Sequence, residues 1–137
     1  MLENIQDPGN MGTIIRTADW FGIQHILCSE DCVEMYNPKV IQAAMGSHFR
    51  VSCKNVNVSD YFHHNQLPVY GATLDGKDFS SVDFPENYIL AIGNESNGLS
   101  EFLTSKCRET IAISRKGKAE SLNAAMATGI LLSHLVS

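Results

Sequence analysis

Long apolar runs are missing from this chain of 137 residues. No stretch approaches the roughly 18 consecutive apolar residues that a membrane-spanning helix needs. The opening residues, Met1-Leu2-Glu3-Asn4-Ile5-Gln6-Asp7-Pro8, carry neither the basic region nor the apolar core of a signal peptide. Positive charge is also scarce: ten Lys and Arg stand against fifteen Asp and Glu, for a formal charge of −5. That excludes a domain-wide cationic surface gripping nucleic acid by charge alone, but not a local basic site. There is no internal repeat and no low-complexity tract. The cysteines, Cys28, Cys32, Cys53 and Cys107, include no C-x-x-C pair, and all but Cys32 sit in apolar or strand-like surroundings. They read as reduced, mostly buried thiols of a cytoplasmic protein, ahead of zinc or a disulfide. His63 and His64 have no Cys or carboxylate at ligand spacing, so no metal site is expected.

What is present is the composition of a folded domain. Apolar residues make up 44 % and charged residues 18 %, which argues against disorder. The length suits one domain, spanning 1–137, with a core that needs no covalent staples. Apolar runs alternate with amphipathic segments. Met11, Ile14, Ile15 and Ala18 recur at helical spacing behind Asn10, a candidate cap, and Gly22 ends that helix. His25 to Cys28 reads as a strand. Asn37-Pro38 opens a second helix that Gly46 closes, and Arg50 to Cys53 reads as a second strand. A short helix near Ser59 follows, then a strand from Pro68 to Thr73 running into the turn Asp75-Gly76. Tyr88 to Ile92 is the clearest central strand, because its apolar run is continuous and ends at Gly93. A helix from about Ser100 to Cys107 and a strand from Thr110 to Ile113 come next. The last helix starts near Ser121, with Leu122, Ala125, Met126, Gly129 and Leu132 on one side. This alternation predicts an α/β fold, a parallel sheet with helices on both faces. Ligands of such sheets gather beyond the carboxyl ends of the strands. The first helix leaves almost no room for a strand before it, so the chain reads as a fragment or its first strand as stunted.

Three segments carry chemistry, each where a strand gives way to a turn or helix. The first runs from Asn4 to Ala18: Pro8 and Gly9 force a tight turn, and Arg16 points away from the apolar stripe. The plain reading is a capped helix with a solvated Arg. The second is Gly93-Asn94-Glu95-Ser96-Asn97-Gly98, whose glycines let backbone N–H groups fold closely over a ligand. The plain reading is a turn that needs positive φ. It is not a dinucleotide fingerprint, because the middle glycine is missing. The third runs from Ile113 to Asn123 and holds the densest positive charge, Arg115 to Lys118. The plain reading there is a solvated loop followed by a Ser121 cap.

Taken together, the segments are far more specific. The order N-x-x-D-P-x-N-x-G-x-x-x-R-x-A, then G-x-E-x-x-G, then Ile113 nine residues before the Leu122 of Ser121-Leu122-Asn123, resembles the SpoU family of RNA ribose 2′-O-methyltransferases, within the SPOUT superclass. The resemblance covers essentially the whole chain, which looks like the family's catalytic domain alone. It implies an α/β domain whose C-terminal segment threads a loop as a deep trefoil knot, a topology ordinary chain-connection rules would not suggest. It implies S-adenosylmethionine as cofactor, with Gly93, Ile113 and Leu122 the leading contacts, joined by Thr73, Leu74 and Gly98. It places Arg16 at the ribose hydroxyl, as base or as positioning cation, with Asn10, Glu95, Ser121 and Asn123 shaping the site. No metal is needed. The resemblance further implies a homodimer, with Arg16 reaching toward the partner's pocket and the first and last helices at the interface. Trp20, Phe21 and residues 131–136 are candidates for that surface or for internal core. The RNA partner is ribosomal or transfer RNA.

The chain departs from the family where Pro usually follows the motif 3 Ile: here Ser114 precedes Arg115 and Lys116. A loop freed of Pro is expected to be more mobile. Ala124 also stands where Val often follows S-L-N. No N-terminal RNA-binding domain accompanies the motifs, so RNA binding is expected to be weak, salt-sensitive and centred on Arg16, Arg50, Lys54 and Arg115 to Lys118. These departures keep an alternative open: a knotted RNA-binding or ribosome-assembly module without methyl transfer.

Overall fold

The computed structural model describes residues 1–136. Its order is α1 (Pro8–Trp20), β1 (His25–Ser29), α2 (Pro38–Ala44), β2 (Ser52–Val56), α3 (Val58–His64), β3 (Val69–Asp78), β4 (Ile89–Ala91), α4 (Glu101–Lys106), β5 (Glu109–Ala112) and α5 (Ala124–Leu135), with short 3₁₀ turns at Ser47–Phe49 and Phe79–Ser81. Every strand pairing is parallel: β1 with β2, and β3 flanked by β4 and β5. Leu2 stitches the two groups together. It bridges Cys28 on one side and Ile92 on the other, both in parallel sense. Leu2 accepts from Ser29 N–H at 2.9 Å, and Glu3 N–H donates to the Ile92 carbonyl at 2.9 Å. The strand order is therefore β2-β1-Leu2-β4-β3-β5.

Strand alternation explains why both faces are covered. On β3, Val69 joins a core with Ile89, Ala91 and Leu103, against which Tyr61 and Phe62 of α3 pack. The next residue, Tyr70, points the other way into the larger core with Met11, Ile14, Ile15, Val40 and Leu131 from α1, α2 and α5. The expected stripe of α1 is buried throughout: Met11, Ile14, Ile15 and Ala18 are all in the core. Gly12 lets α1 press onto α2, since a Cβ there would stand 2.5 Å from both Ala43 Cβ and the Val40 carbonyl oxygen.

Local chemistry shifted several expected boundaries. The cap of α1 is Asp7, not Asn10: the Asp7 carboxylate accepts from Asn10 N–H at 2.8 Å, with Pro8 in the first turn. Asp followed by Pro is the stronger start, because Asp accepts the orphan N–H and Pro has none to orphan. That leaves the Asn10 side chain free for a distant partner. Likewise α5 is capped by Asn123, not Ser121. The buried face of α5 is Ala124, Ala125, Thr128, Leu131 and Leu132, whereas Leu122 and Met126 are exposed. A helix apolar on most sides carries more than one helical stripe, and periodicity alone could not choose between them. Of the candidate interface residues, Leu131 and Leu132 lie in the core, and Trp20 is 84 % exposed.

β3 does not end at Asp75-Gly76. It leaves the β5 ladder after Ala72, makes an excursion of Thr73 to Gly76, and resumes at Lys77, so that Ala72 and Lys77 both pair with Ile111. Gly76 makes this return possible, because a Cβ there would lie 2.6 Å from the Ile111 carbonyl carbon. The excursion pushes Thr73 and Leu74 out beyond the sheet.

Candidate active site

A cavity of about 610 Å³ opens at the carboxyl ends of β3, β4 and β5. Three sequence-distant stretches form its wall: the β3 excursion, the turn after β4, and the segment between β5 and α5. Of the expected site residues, Thr73, Leu74, Gly93, Glu95, Gly98, Ile113, Ser121 and Leu122 all line it. Asn10 and Asn123 line an adjoining groove between α1 and α5, together with Thr13, Thr17, Met126, Gly129 and Ile130. Arg16 is exposed and lines neither. Neither ion pair among the described residues includes it. Arg50, by contrast, is engaged by Asp19, with a nitrogen-to-oxygen distance of 2.7 Å.

The cavity and the groove are joined by a chain of amides whose direction is forced. Asn123 Oδ1 accepts from the N–H groups of Ala125 and Met126 at 2.9 and 3.2 Å, capping α5. Its other end must then be the NH₂ group, which donates to Asn10 Oδ1 at 2.9 Å. With its oxygen so used, Asn10 presents its own NH₂ outward and donates to Glu95 Oε1. An N-cap thus orients a carboxylate two side chains away and ties one residue of each motif into a single unit.

The turn after β4 is built for close approach. A Cβ on Gly93 would meet the backbone of Gly98 and Leu99 at 2.4 to 2.5 Å, and Gly98 has a φ of +66°. Asn94 organises the turn from within, and the sequence reading missed it. Its Oδ1 accepts from Ser96 and Asn97 N–H at 2.8 and 3.1 Å, and its Nδ2 donates to the Asn4 carbonyl at 2.9 Å. Asn4 itself takes a φ of 56°, a conformation Asn tolerates better than most residues. An Asn after the strand-ending glycine is a signal for such a side-chain turn. Glu3 was also missed. Its buried carboxylate accepts from Ser100 N–H at 2.8 Å and from Ser100 Oγ at 2.6 Å, fixing the start of α4.

The segment after β5 is tethered. The Ser114 hydroxyl donates to Asp78 Oδ2, and the Arg115 guanidinium donates to the Ala119 carbonyl at 3.1 Å. The Ser114 hydroxyl, followed by the hydroxyl and N–H of Ser80, holds the Asp78 carboxyl below the usual carboxylate range. Arg115, expected on the RNA-facing surface, is therefore committed in part to its own loop.

The wall can hold a nucleoside-sized organic cofactor. The volume lies in the range of pockets that enclose such molecules. Among the described residues the buried Thr73 hydroxyl has no hydrogen-bond partner, as a polar atom placed for a ligand would. Gly93 lets the turn close against the backbone of Gly98 and Leu99 at the cavity wall.

Comparison with known proteins agrees with this geometry. The chain is 34 % identical over 139 residues to the 23S rRNA (guanosine(2553)-2′-O)-methyltransferase RlmP of Bacillus subtilis, covering 98 % of this chain and 56 % of that protein. It superposes with a TM-score of 0.89 and 41 % identity on a putative RNA methyltransferase of the TrmH family from Porphyromonas gingivalis, covering 96 % of this chain and 56 % of the other. AdoMet-bound rRNA methyltransferase from Sinorhizobium meliloti superposes with a TM-score of 0.91 at 34 % identity, covering 99 % of this chain and 56 % of the other. The chain spans about half the length of these proteins. The SpoU rRNA Methylase family pattern matches residues 1–133, and with its three motif segments gathered at one cavity the chain belongs to that family.

Proposed function

We propose that the chain transfers a methyl group from S-adenosylmethionine to a ribose 2′-hydroxyl in ribosomal or transfer RNA, acting as a cytoplasmic homodimer without a metal. The observation that carries this reading is the amide chain Asn123–Asn10–Glu95, which draws the three motif segments together beside a cavity of fitting size. S-adenosylmethionine, when bound, supplies an electrophilic methyl on a sulfonium. Gly93, Gly98, Ile113 and Leu122 hold it through backbone and apolar contact, with Thr73 and Leu74 from the β3 excursion at the rim. Ser121 lies in the same wall, next to the reacting centre. Arg16 serves as a positioning cation and not as a base, since a guanidinium offers five donors and no acceptor. Its role is to hold the RNA phosphate and to stabilise negative charge as it grows on the 2′-oxygen. Glu95, oriented by Asn10, faces the substrate side of the cavity.

Two features support the finer parts of the proposal. Since Arg16 lines neither cavity of its own chain, the proposed site takes its Arg16 from a second copy docked on the α1–α5 groove, where Met126 is 61 % exposed. The proposed trefoil knot draws on the β3 excursion and on residues 113–123 sharing one cavity while Asn123 reaches back to α1. The alternative without methyl transfer rests on the motif 3 departures, and of these Ser114 is tied to Asp78.

The deciding experiment pairs calorimetric titration with S-adenosylmethionine and mass-spectrometric mapping of ribose methylation in RNA from cells lacking the gene. Binding plus a single lost methyl is expected. A folded dimer that binds no cofactor refutes the proposal. Asn123→Asp gives a second test. Asp still caps α5 but cannot donate to Asn10, whose amide then turns and sets its oxygen against Glu95. Loss of that charge-assisted bond costs about 2 kcal/mol, roughly 30-fold in turnover. The melting temperature should fall by no more than several degrees, showing that the variant folds, and equal turnover in the variant would refute the orienting role.

A further inference from the structure

The segment between β5 and α5 makes up much of the cavity wall, with Ser114, Arg115, Lys116, Gly117 and Ala119 all lining it. A free loop of this kind must be ordered when a ligand enters, and that ordering subtracts from affinity. Asp78 is placed to prevent this. It ends β3, where it pairs with Ala112. Its Oδ1 is already committed to Ser80, accepting the N–H at 2.8 Å and the hydroxyl as well. Its carbonyl accepts from the Ser81 hydroxyl at 2.8 Å. The neighbouring ring of Phe79 meets the His134 ring of α5 edge-on, with centroids 4.9 Å apart. A carboxylate fixed this thoroughly has one oxygen left, and that oxygen receives the Ser114 hydroxyl. One residue further, Arg115 closes the loop on the Ala119 carbonyl.

We propose that Asp78 is a positioning residue for the cofactor pocket: through Ser114 it latches the start of the loop and holds the wall in its binding shape before the cofactor arrives. The proposal rests on the cofactor reading above. Asp78 and Ser114 are 36 positions apart, and the latch performs the stiffening that a proline at position 114 would supply by fixing φ. Proline there would also sacrifice no backbone bond, because Ser114 N–H donates to no backbone group among the described residues.

The test is a set of variants titrated by calorimetry with S-adenosylmethionine and with S-adenosylhomocysteine. Ser114→Ala is expected to weaken binding of both about three- to tenfold. Asp78→Ala should do the same, and the double variant should be no worse than either single one. Ser114→Pro should bind as tightly as the parent, and Asp78→Ala added to it should change nothing. The rise in KM for the cofactor should exceed any fall in kcat, so that the effect reads mainly as lost affinity. Amide exchange at residues 115–119 should quicken in Ser114→Ala and not in Ser114→Pro. Ser114→Ala binding like the parent overturns the latch alone, as does Asp78→Ala weakening the Ser114→Pro protein by the same factor. A parent chain that binds neither compound overturns the cofactor reading and the latch with it. Ser114 is exposed, so its variants keep the test valid if Asp78→Ala proves unstable.

Discussion

Replacing Arg16 by Ala should lower methyl transfer by about 100- to 1,000-fold while leaving cofactor affinity within about twofold of the parent. The two halves of this expectation come from one observation. Arg16 is exposed on α1 and lines neither the cavity nor the adjoining groove, so nothing that holds a cofactor is lost with it. On the proposed reading, what is lost is a cation beside the ribose oxygen, whose effect appears only as charge develops there. A base would leave a different signature, a rise of activity with pH that a positioning cation does not produce. The same variant tests the shared site. Mixed with a chain whose pocket is disabled, Arg16→Ala should regain activity, since each mixed dimer holds one intact pocket facing one intact Arg16. No recovery after demonstrated subunit exchange would place Arg16 in the cavity of its own chain and remove the reason for a dimer. Pulse-labelled methyl incorporation, measured alongside calorimetry, reads both quantities.

What the sequence made legible follows from the range of the interactions involved. The stripe Met11, Ile14, Ile15 and Ala18 depends on spacing alone, and it is buried as expected. The central strand at Ile89–Ala91 follows from its apolar run. Family motifs carried the cavity, because Gly93, Glu95, Ile113 and Leu122 are recognisable by order and interval and do line it. Caps were placed less well. Asn10 and Ser121 are both capping types, and only the fold reveals that Asp7 and Asn123 hold those positions, freeing Asn10 for Glu95. Asp-Gly marks a turn whether or not the strand resumes, so the sequence pattern cannot distinguish the β3 excursion from a strand end. The Asp78–Ser114 bond and the Glu3–Ser100 pair join residues 36 and 97 positions apart, and no local pattern announces such partners. Ser114 shows the consequence: by residue type it loosens a loop, and by its partner it fastens one.

The second large effect is expected at Gly93. Substitution by Ala places a Cβ 2.4 Å from the Gly98 carbonyl carbon and 2.5 Å from both its oxygen and the Leu99 nitrogen. All of these are backbone atoms, so no side chain can swing aside, and the turn must open. Forcing such an overlap costs about 1–3 kcal/mol or more, and the opened turn moves Glu95 away from Asn10. Displacements near 1 Å at a reacting site cost on the order of 100-fold in rate, so turnover should fall by at least that much, and S-adenosylmethionine binding should weaken as well. Gly98 provides the contrast. Its φ of +66° is strained for most side chains, yet a Cβ there meets nothing within 4 Å. Asn tolerates that conformation, so Gly98→Asn should keep binding within about threefold of the parent. Two glycines of one turn are thus required for different reasons, one for space and one for backbone angle, and calorimetry on the pair separates them. Equal losses at both positions would mean that backbone freedom, not the contact between Gly93 and Gly98, sets the shape of the turn.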